Sequence, residues 1–158
     1  MSVNNNVKTG LGSKLSISTT AFTGTKDASG YGAATYAQMK IEAFNKPGQS
    51  FESYMWRDLD TGEPTYVKGG KNYPPVTVSV ADLPNDAALT ALKSALADQT
   101  GEWALKAEHI NDGTLTPRIT YFTVRVMGIG ETSVTTTGIQ VVPFTFQPTS
   151  PSVVVAAT

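Results

Sequence analysis

Apolar side chains recur at every second residue along most of this chain, and at every third or fourth residue along only one stretch. Leu15, Ile17, Thr19 and Ala21 alternate with Lys14, Ser16, Ser18 and Thr20, the two-residue period of a strand with one face toward solvent. Residues 23–34, rich in Gly, Thr and Ala, end that strand. A second alternation sets Met39, Ile41 and Ala43 against Gln38, Lys40 and Glu42, closed by the turn signal Pro47-Gly48. Val76, Val78 and Val80 predict a short strand. Leu89, Leu92 and Leu96, with Ala88 and Ala95, fall at helical spacing behind a Pro84-Asn85-Asp86 cap, so a helix is expected at about 85–100, ending before Gly101. Trp103, Leu105 and Ala107 then alternate with Glu102, Lys106 and Glu108, and Asn111-Asp112-Gly113 reads as a hairpin turn.

Residues 120–127 predict another strand, with Phe122, Val124 and Val126 on one face and Tyr121, Thr123, Arg125 and Met127 on the other. Gly128 and Gly130 are expected to break it. In the last strand Ile139 and Val141 keep one phase while Val142, Phe144 and Phe146 take the other. A one-residue shift beside Pro143 predicts a β-bulge there. Residues 46–75 read as a long loop region with one short strand, in which Tyr54 and Trp56 oppose Met55, Arg57 and Leu59. Turns are expected at 60–64 and at Gly69-Gly70. Connections of this length tend to be functional. It holds five of the chain's fourteen aromatics: Phe51, Tyr54, Trp56, Tyr66 and Tyr73. Those rings either cap the core from outside or meet another subunit, where aromatics are over-represented.

Composition sharpens this picture. Thr supplies 22 of the 158 residues and Val 14, both β-branched and suited to pleated surfaces. The expected fold is therefore mainly β, with one helix and extended loop and terminal arms. Residues 13–148 form one domain, with an N-terminal arm at 1–12 and a C-terminal arm at 149–158. Absent cysteine removes disulfides, thiolate zinc sites and cysteine nucleophiles. A net charge of −1 does not suit a chain that grips phosphate backbones. Residues 132–158 carry no charge at all, an unusual stretch to leave bare, so part of it is expected against a neighbour. Residues 1–10 lack the apolar core of a secretory signal, and no run approaches the ~20 apolar residues of a membrane span.

Candidate chemistry is sparse. His109 lies beside Glu108 and Asp112 around a turn, without the convergent partners that acid–base or metal chemistry needs. Gly69-Gly70-Lys71 lacks the rest of a phosphate loop, since Asn72 stands where Ser or Thr belongs. Gly128-Ile129-Gly130 sits between two strands and meets no helix N-terminus. Asp58 and Asp60 flank a turn and form either a weak cation site or a solvated bend. No catalytic, cofactor-binding or metal-binding residue is assigned, and no enzyme activity is expected.

The order of these pieces resembles the major tail (tail tube) proteins of long-tailed phages, a family related to contractile-system tube proteins. The likeness runs from Gly10-Leu11-Gly12-Ser13-Lys14-Leu15-Ser16-Ile17 through the strand at 39–44 and the segment 55–60. Gly69-Gly70, the Val76, Val78 and Val80 strand, the Leu89/Leu92/Leu96 helix and the strands at 103–108 and 122–127 follow in the family's order. The Thr-rich finish, Thr135-Thr136-Thr137 to Phe144-Thr145-Phe146-Gln147-Pro148-Thr149, resembles its terminal strand. Pro143 and the uncharged tail depart from the pattern, and no appended immunoglobulin-like domain follows.

What the resemblance implies is a two-sheet β-sandwich or barrel with one flanking helix, in a structural virion protein made in the host cytoplasm and located in the tail. It implies hexameric rings stacked into a tube through which DNA passes without specific binding. The implied partners are further copies of the chain, a tail-tip initiator, and tape-measure and terminator proteins, with no cofactor and no membrane. Phe51, Tyr54, Met55, Trp56, Tyr66, Val153 and Val154 are the expected self-assembly contacts. Three rivals remain: a β-sandwich module that binds a glycan or host surface through Tyr54, Trp56 and Tyr66; a head–tail connector or capsid decoration protein; and the tube of a bacterial contractile secretion system.

Overall fold

The computed structural model describes residues 13–45, 47–109, 118–134, 136 and 138–155. Among these, the chain forms β1 (Lys14–Ser18), α1 (Ala28–Gly32), β2 (Tyr36–Gln38), β3 (Ser50–Arg57), β4 (Pro64–Asn72) and β5 (Val76–Ala81). Then come α2 (Ala87–Ala97), β6 (Trp103–His109), β7 (Arg118–Ile129), β8 (Val141–Pro148) and β9 (Val153–Val155). The mainly β, two-sheet architecture with a flanking helix is the one the structure has. A curled antiparallel sheet forms a half-barrel, and β3 and β4 make a second, small sheet.

The large sheet runs β2-β1-β6-β7-β8-β5. Its two outer edges are tied together by the residues after β2. The Met39 N–H donates to the Leu15 carbonyl of β1 at 2.9 Å, the Ala81 N–H of β5 donates to the Lys40 carbonyl at 2.8 Å, and Ile41 bridges Val80. These residues therefore do not continue as the strand expected at 39–44. They cross from one edge to the other, with Met39 buried as they pass.

The enclosed face carries the main core: Leu15 and Ile17, Val78 and Val80, Leu105, Phe122 and Val124, and Phe144 and Phe146. The helix α2 packs over it with Ala88, Leu89, Ala91, Leu92 and Ala95. It is shorter than 85–100 because Asn85 takes a positive φ of 60° before it and Asp98 is extended after it. Gly101 is required by a close approach, not by a left-handed cap. Asp98 folds back to accept the Thr100 and Gly101 N–H groups, so a Cβ on Gly101 would meet that carboxylate at 1.9 Å.

Part of the outer face of β1, β6 and β7 is also buried, at Ser16, Ser18, Ala104, Tyr121 and Thr123, contrary to the one-wet-face expectation. Residues 23–34, expected only to end a strand, contain α1, and the segment lies over that face. The Gly30 N–H donates to the Asp27 carboxylate at 2.7 Å, opening the helix and holding the Asp27 pKa below the ordinary carboxylate value, with the Thr25 hydroxyl adding to the effect. Tyr31 is thereby buried in a stack of rings: Phe22 at 4.7 Å on one side and Tyr121 at 5.4 Å on the other, nearly parallel in both cases. Such pairs add roughly 0.5–1.5 kcal/mol beyond their burial.

Two irregularities shape β7. Val126 pairs with Phe146 but Gly128 with Thr145, so the extra residue, Met127, bulges from β7, and Gly128 stays within the strand. No bulge exists at Pro143. Its pairing with Ser79 is in register, and the two phases read in the sequence are simply the two faces of β8. Pro143 is tolerated because its carbonyl accepts from Gly130 at 2.8 Å, which places its missing donor where β7 ends.

Past β8 the chain is not a separate arm. Pro148 pairs with Val124 and Val153 with Tyr121, so five steps along one strand match three along the other. The slack is taken up by Thr149 and Ser150, whose hydroxyls lie 2.9 and 2.6 Å from the Thr123 hydroxyl. Residues 149–155 are thus part of the sheet edge. The arm expected at 1–12, the Asn111-Asp112-Gly113 turn and residues 156–158 lie outside the described residues.

Candidate assembly surface

Residues expected to be a long loop form a two-stranded ribbon instead. β3 and β4 pair from Ser50↔Asn72 to Arg57↔Pro64, and neither strand pairs with the large sheet. Every residue of both strands is exposed except the half-buried Gly69. The Gly69-Gly70 pair, read as a turn, is a bulge inside β4: Ser53 pairs with Lys68 and Phe51 with Lys71, so β4 carries one residue more than β3. Glycine is needed there because the Tyr54 ring lies across it, and a Cβ on Gly69 would come within 2.3 Å of Tyr54 Cε2.

The turn at the far end is held by its own backbone. The Gly62 N–H donates to the Asp58 carbonyl at 2.8 Å, Gly62 takes a φ of 68°, and the Asp60 N–H donates to the Asp58 carboxylate at 2.8 Å. Arg57 donates to the Gly62 carbonyl at 3.2 Å. One oxygen of the Asp58 carboxylate therefore helps shape the turn. Among the described residues no cluster of three His, Cys, Asp or Glu side chains could hold a metal.

Alternation gives the ribbon two unlike faces. On one, Tyr54 opposes Val67 and Trp56 opposes Thr65. The Tyr54 hydroxyl donates to Glu52 at 2.5 Å, and that bond raises the Tyr54 pKa. On the other, Met55 opposes Tyr66, and Lys68 sits with its Nζ 3.6 Å from the centre of the Phe51 ring. Trp56 is 60% exposed and Tyr66 68%, and Leu59 at the tip is wholly exposed.

Five of the expected contact residues, Phe51, Tyr54, Met55, Trp56 and Tyr66, thus come together on one element. Val153 and Val154 do not join them. They lie in β9 of the large sheet, Val153 packed beside Tyr121 and Val154 turned outward. Leu59 and Val67 belong to the ribbon surface but were not among the expected contact residues. Their signal was weak, because one sits in an acidic turn and the other in what read as a loop. His109 ends β6 opposite Arg118, at the rim of the sheet.

A ribbon bare on both faces is marginal in water by itself, since an isolated two-stranded hairpin buries too little. Large exposed apolar patches mark interaction sites. No protein-family model and no curated protein matches the sequence. Solved structures match along the whole chain. A chain of the anti-feeding prophage baseplate, six-fold symmetrised, superposes with a TM-score of 0.62 at 5% identity, covering 91% of this chain and 92% of its own. A chain of an extracellular contractile injection system, the PVC sheath/tube terminator in its extended state, gives 0.62 at 12% identity, covering 98% and 100%. A chain of the anti-feeding prophage tube-terminating cap gives 0.57 at 14%, covering 99% and 95%. The fold is shared with chains of contractile-injection assemblies. Identities this low show the fold alone.

Proposed function

We propose that the chain is a non-enzymatic structural subunit of a tail-like particle, and that it self-assembles into stacked rings forming a tail tube that conducts DNA. The observation that carries this reading is the bare ribbon. Trp56, Tyr54, Tyr66, Met55 and Leu59 are exposed together on a sheet that has no second layer of its own. Aromatic anchors of this kind dominate binding energy at interfaces. The whole-length likeness to chains of baseplate, terminator and cap assemblies supports a place within such a particle. Hexameric order in the rings, partnership with tip, tape-measure and terminator proteins, and location in the virion tail belong to the same proposal.

One observation favours a second reading. The match to the sheath/tube terminator assembly spans 98% of this chain and all of the other, which suits a subunit that closes a tube as a single ring. Electron microscopy of the negatively stained, purified and concentrated protein tests both. Striated hollow tubes with a regular axial repeat support the tube reading, and isolated rings support the terminator reading. A lasting monomer stabilised thermally by a glycan overturns both in favour of a binding module.

A further inference from the structure

Beside the root of the ribbon the surface opens into a groove of about 660 Å³. Its walls are the crossing segment at 39–45, the outward face of β5 (Thr77, Ser79, Ala81) and the residues leading into β8 (Ile139, Val141). Lys14 and Lys40 stand on its rim, both exposed, against a single carboxylate, Glu42. Among the described residues neither lysine forms an ion pair. Ile139, 70% exposed, supplies an unburied apolar contact on one wall.

The ribbon tip has the complementary character. Asp58, Asp60 and Glu63 cluster around Leu59, the most exposed large apolar side chain in the described residues, with only Arg57 of opposite sign. Asn45, on one wall of the groove, precedes the ribbon by a few residues, and the chain leaves the ribbon at Asn72 to become β5, which forms another wall. Eight residues of strand hold the tip roughly 25 Å from that root. A straight ribbon therefore keeps its acidic tip away from its own basic groove and offers it to another copy.

We infer that the tip of the β3–β4 ribbon of one copy seats in the root groove of the next, with Leu59 against Ile139 and the three tip carboxylates facing Lys14 and Lys40. This rests on the reading of the chain as self-assembling. Binding of one end of an element by the groove at its other end is a head-to-tail contact. It is not self-complementary as a two-fold pair is, so repeating it builds either a ring or a stack. Residues 1–12, which precede Ser13 and Lys14 in sequence, carry a lysine and no carboxylate, so they lack the charge that Lys14 and Lys40 call for.

The chain contains no cysteine, so single engineered thiols report proximity directly. Leu59→Cys and Ile139→Cys are made in separate chains, mixed, allowed to assemble and oxidised. Val7→Cys is mixed with Ile139→Cys in parallel. Each altered position in the first pair is on the surface, and unchanged thermal melting confirms folding. A covalent 59–139 dimer in assembled material, absent when salt disperses it, is expected.

Lys40→Glu should weaken assembly at least tenfold, and Asp60→Lys in the same chain should restore it. Assembly without a 59–139 link, or with a 7–139 link in its place, overturns the tip-in-groove contact and leaves self-assembly standing. Failure to assemble at any concentration overturns both.

Discussion

Two strands of similar apolar content meet opposite fates. β8 presents Val142, Phe144 and Phe146 on one face, and each is at most 5% exposed. β3 presents Phe51, Met55 and, on its other face, Tyr54 and Trp56, none less than 38% exposed. What separates them is not their own pattern but their neighbours. β8 lies between β7 and β5 in a sheet whose edges are tied by residues 39–41 and covered by α2, whereas β3 has only β4. Burial within the chain explains the first strand. The second is an apolar surface that the monomer leaves uncovered, and an assembly contact would explain it.

The sharpest way to break this comparison is to truncate a ring on each side of it. Phe144→Ala should destabilise the isolated chain by about 3–5 kcal/mol, the cost of a cavity in a closed core, read as a fall in the chemical-denaturation midpoint. Trp56→Ala combined with Tyr66→Ala should change that midpoint by about 0.5 kcal/mol or less, as surface substitutions do. The same variant should lose assembly by more than tenfold in sedimentation, because central aromatic anchors are worth roughly 2 kcal/mol or more each. Equal effects of the two variants on the midpoint would erase the distinction.

Gly69→Val sharpens it further. The new side chain must displace the Tyr54 ring, so assembly should weaken while the melting temperature of the dispersed chain stays close to its original value. Thr123→Val probes the sheet side at smaller amplitude. It removes the hydroxyl that faces Ser150 and Thr149, at a cost of about 1–3 kcal/mol for the polar groups left behind.

The smallest effect concerns acid. The folded pKa of Asp27 is depressed by the Gly30 N–H, so its contribution is present above the unfolded value and is lost as the pH falls through the folded one. The gap in melting temperature between the parent chain and Asp27→Asn should therefore shrink below about pH 4. A gap that widens in acid would remove the cap from the account.

Strands and helix were legible wherever one buried face imposed a single period, as in β5 and α2. Errors arose where a second layer intervened. Ser16 and Ser18 read as wet because serine is polar, yet residues 22–36 cover them, and Ser18 is satisfied by donating to Thr20 and accepting from Ala104. Pro143 read as a bulge because a one-dimensional pattern cannot say which of two neighbouring strands absorbs an extra residue. Met127 of β7 does so.

The ribbon was half legible. Its aromatics drew notice, but Gly69-Gly70 resembled a turn, and only the Tyr54 ring packed over Gly69 reveals why glycine belongs in the middle of a strand. Val153 and Val154, grouped with the ribbon by their apolar character, are placed elsewhere by the pairing of β9 with β7.

Amide hydrogen exchange, followed in dispersed and in assembled protein, tests the central claim most directly. The account predicts rapid exchange across 50–72 in the dispersed chain and at least tenfold slower exchange there on assembly, with the β7 amides protected equally in both. Ribbon amides that exchange just as fast within assembled particles would contradict it.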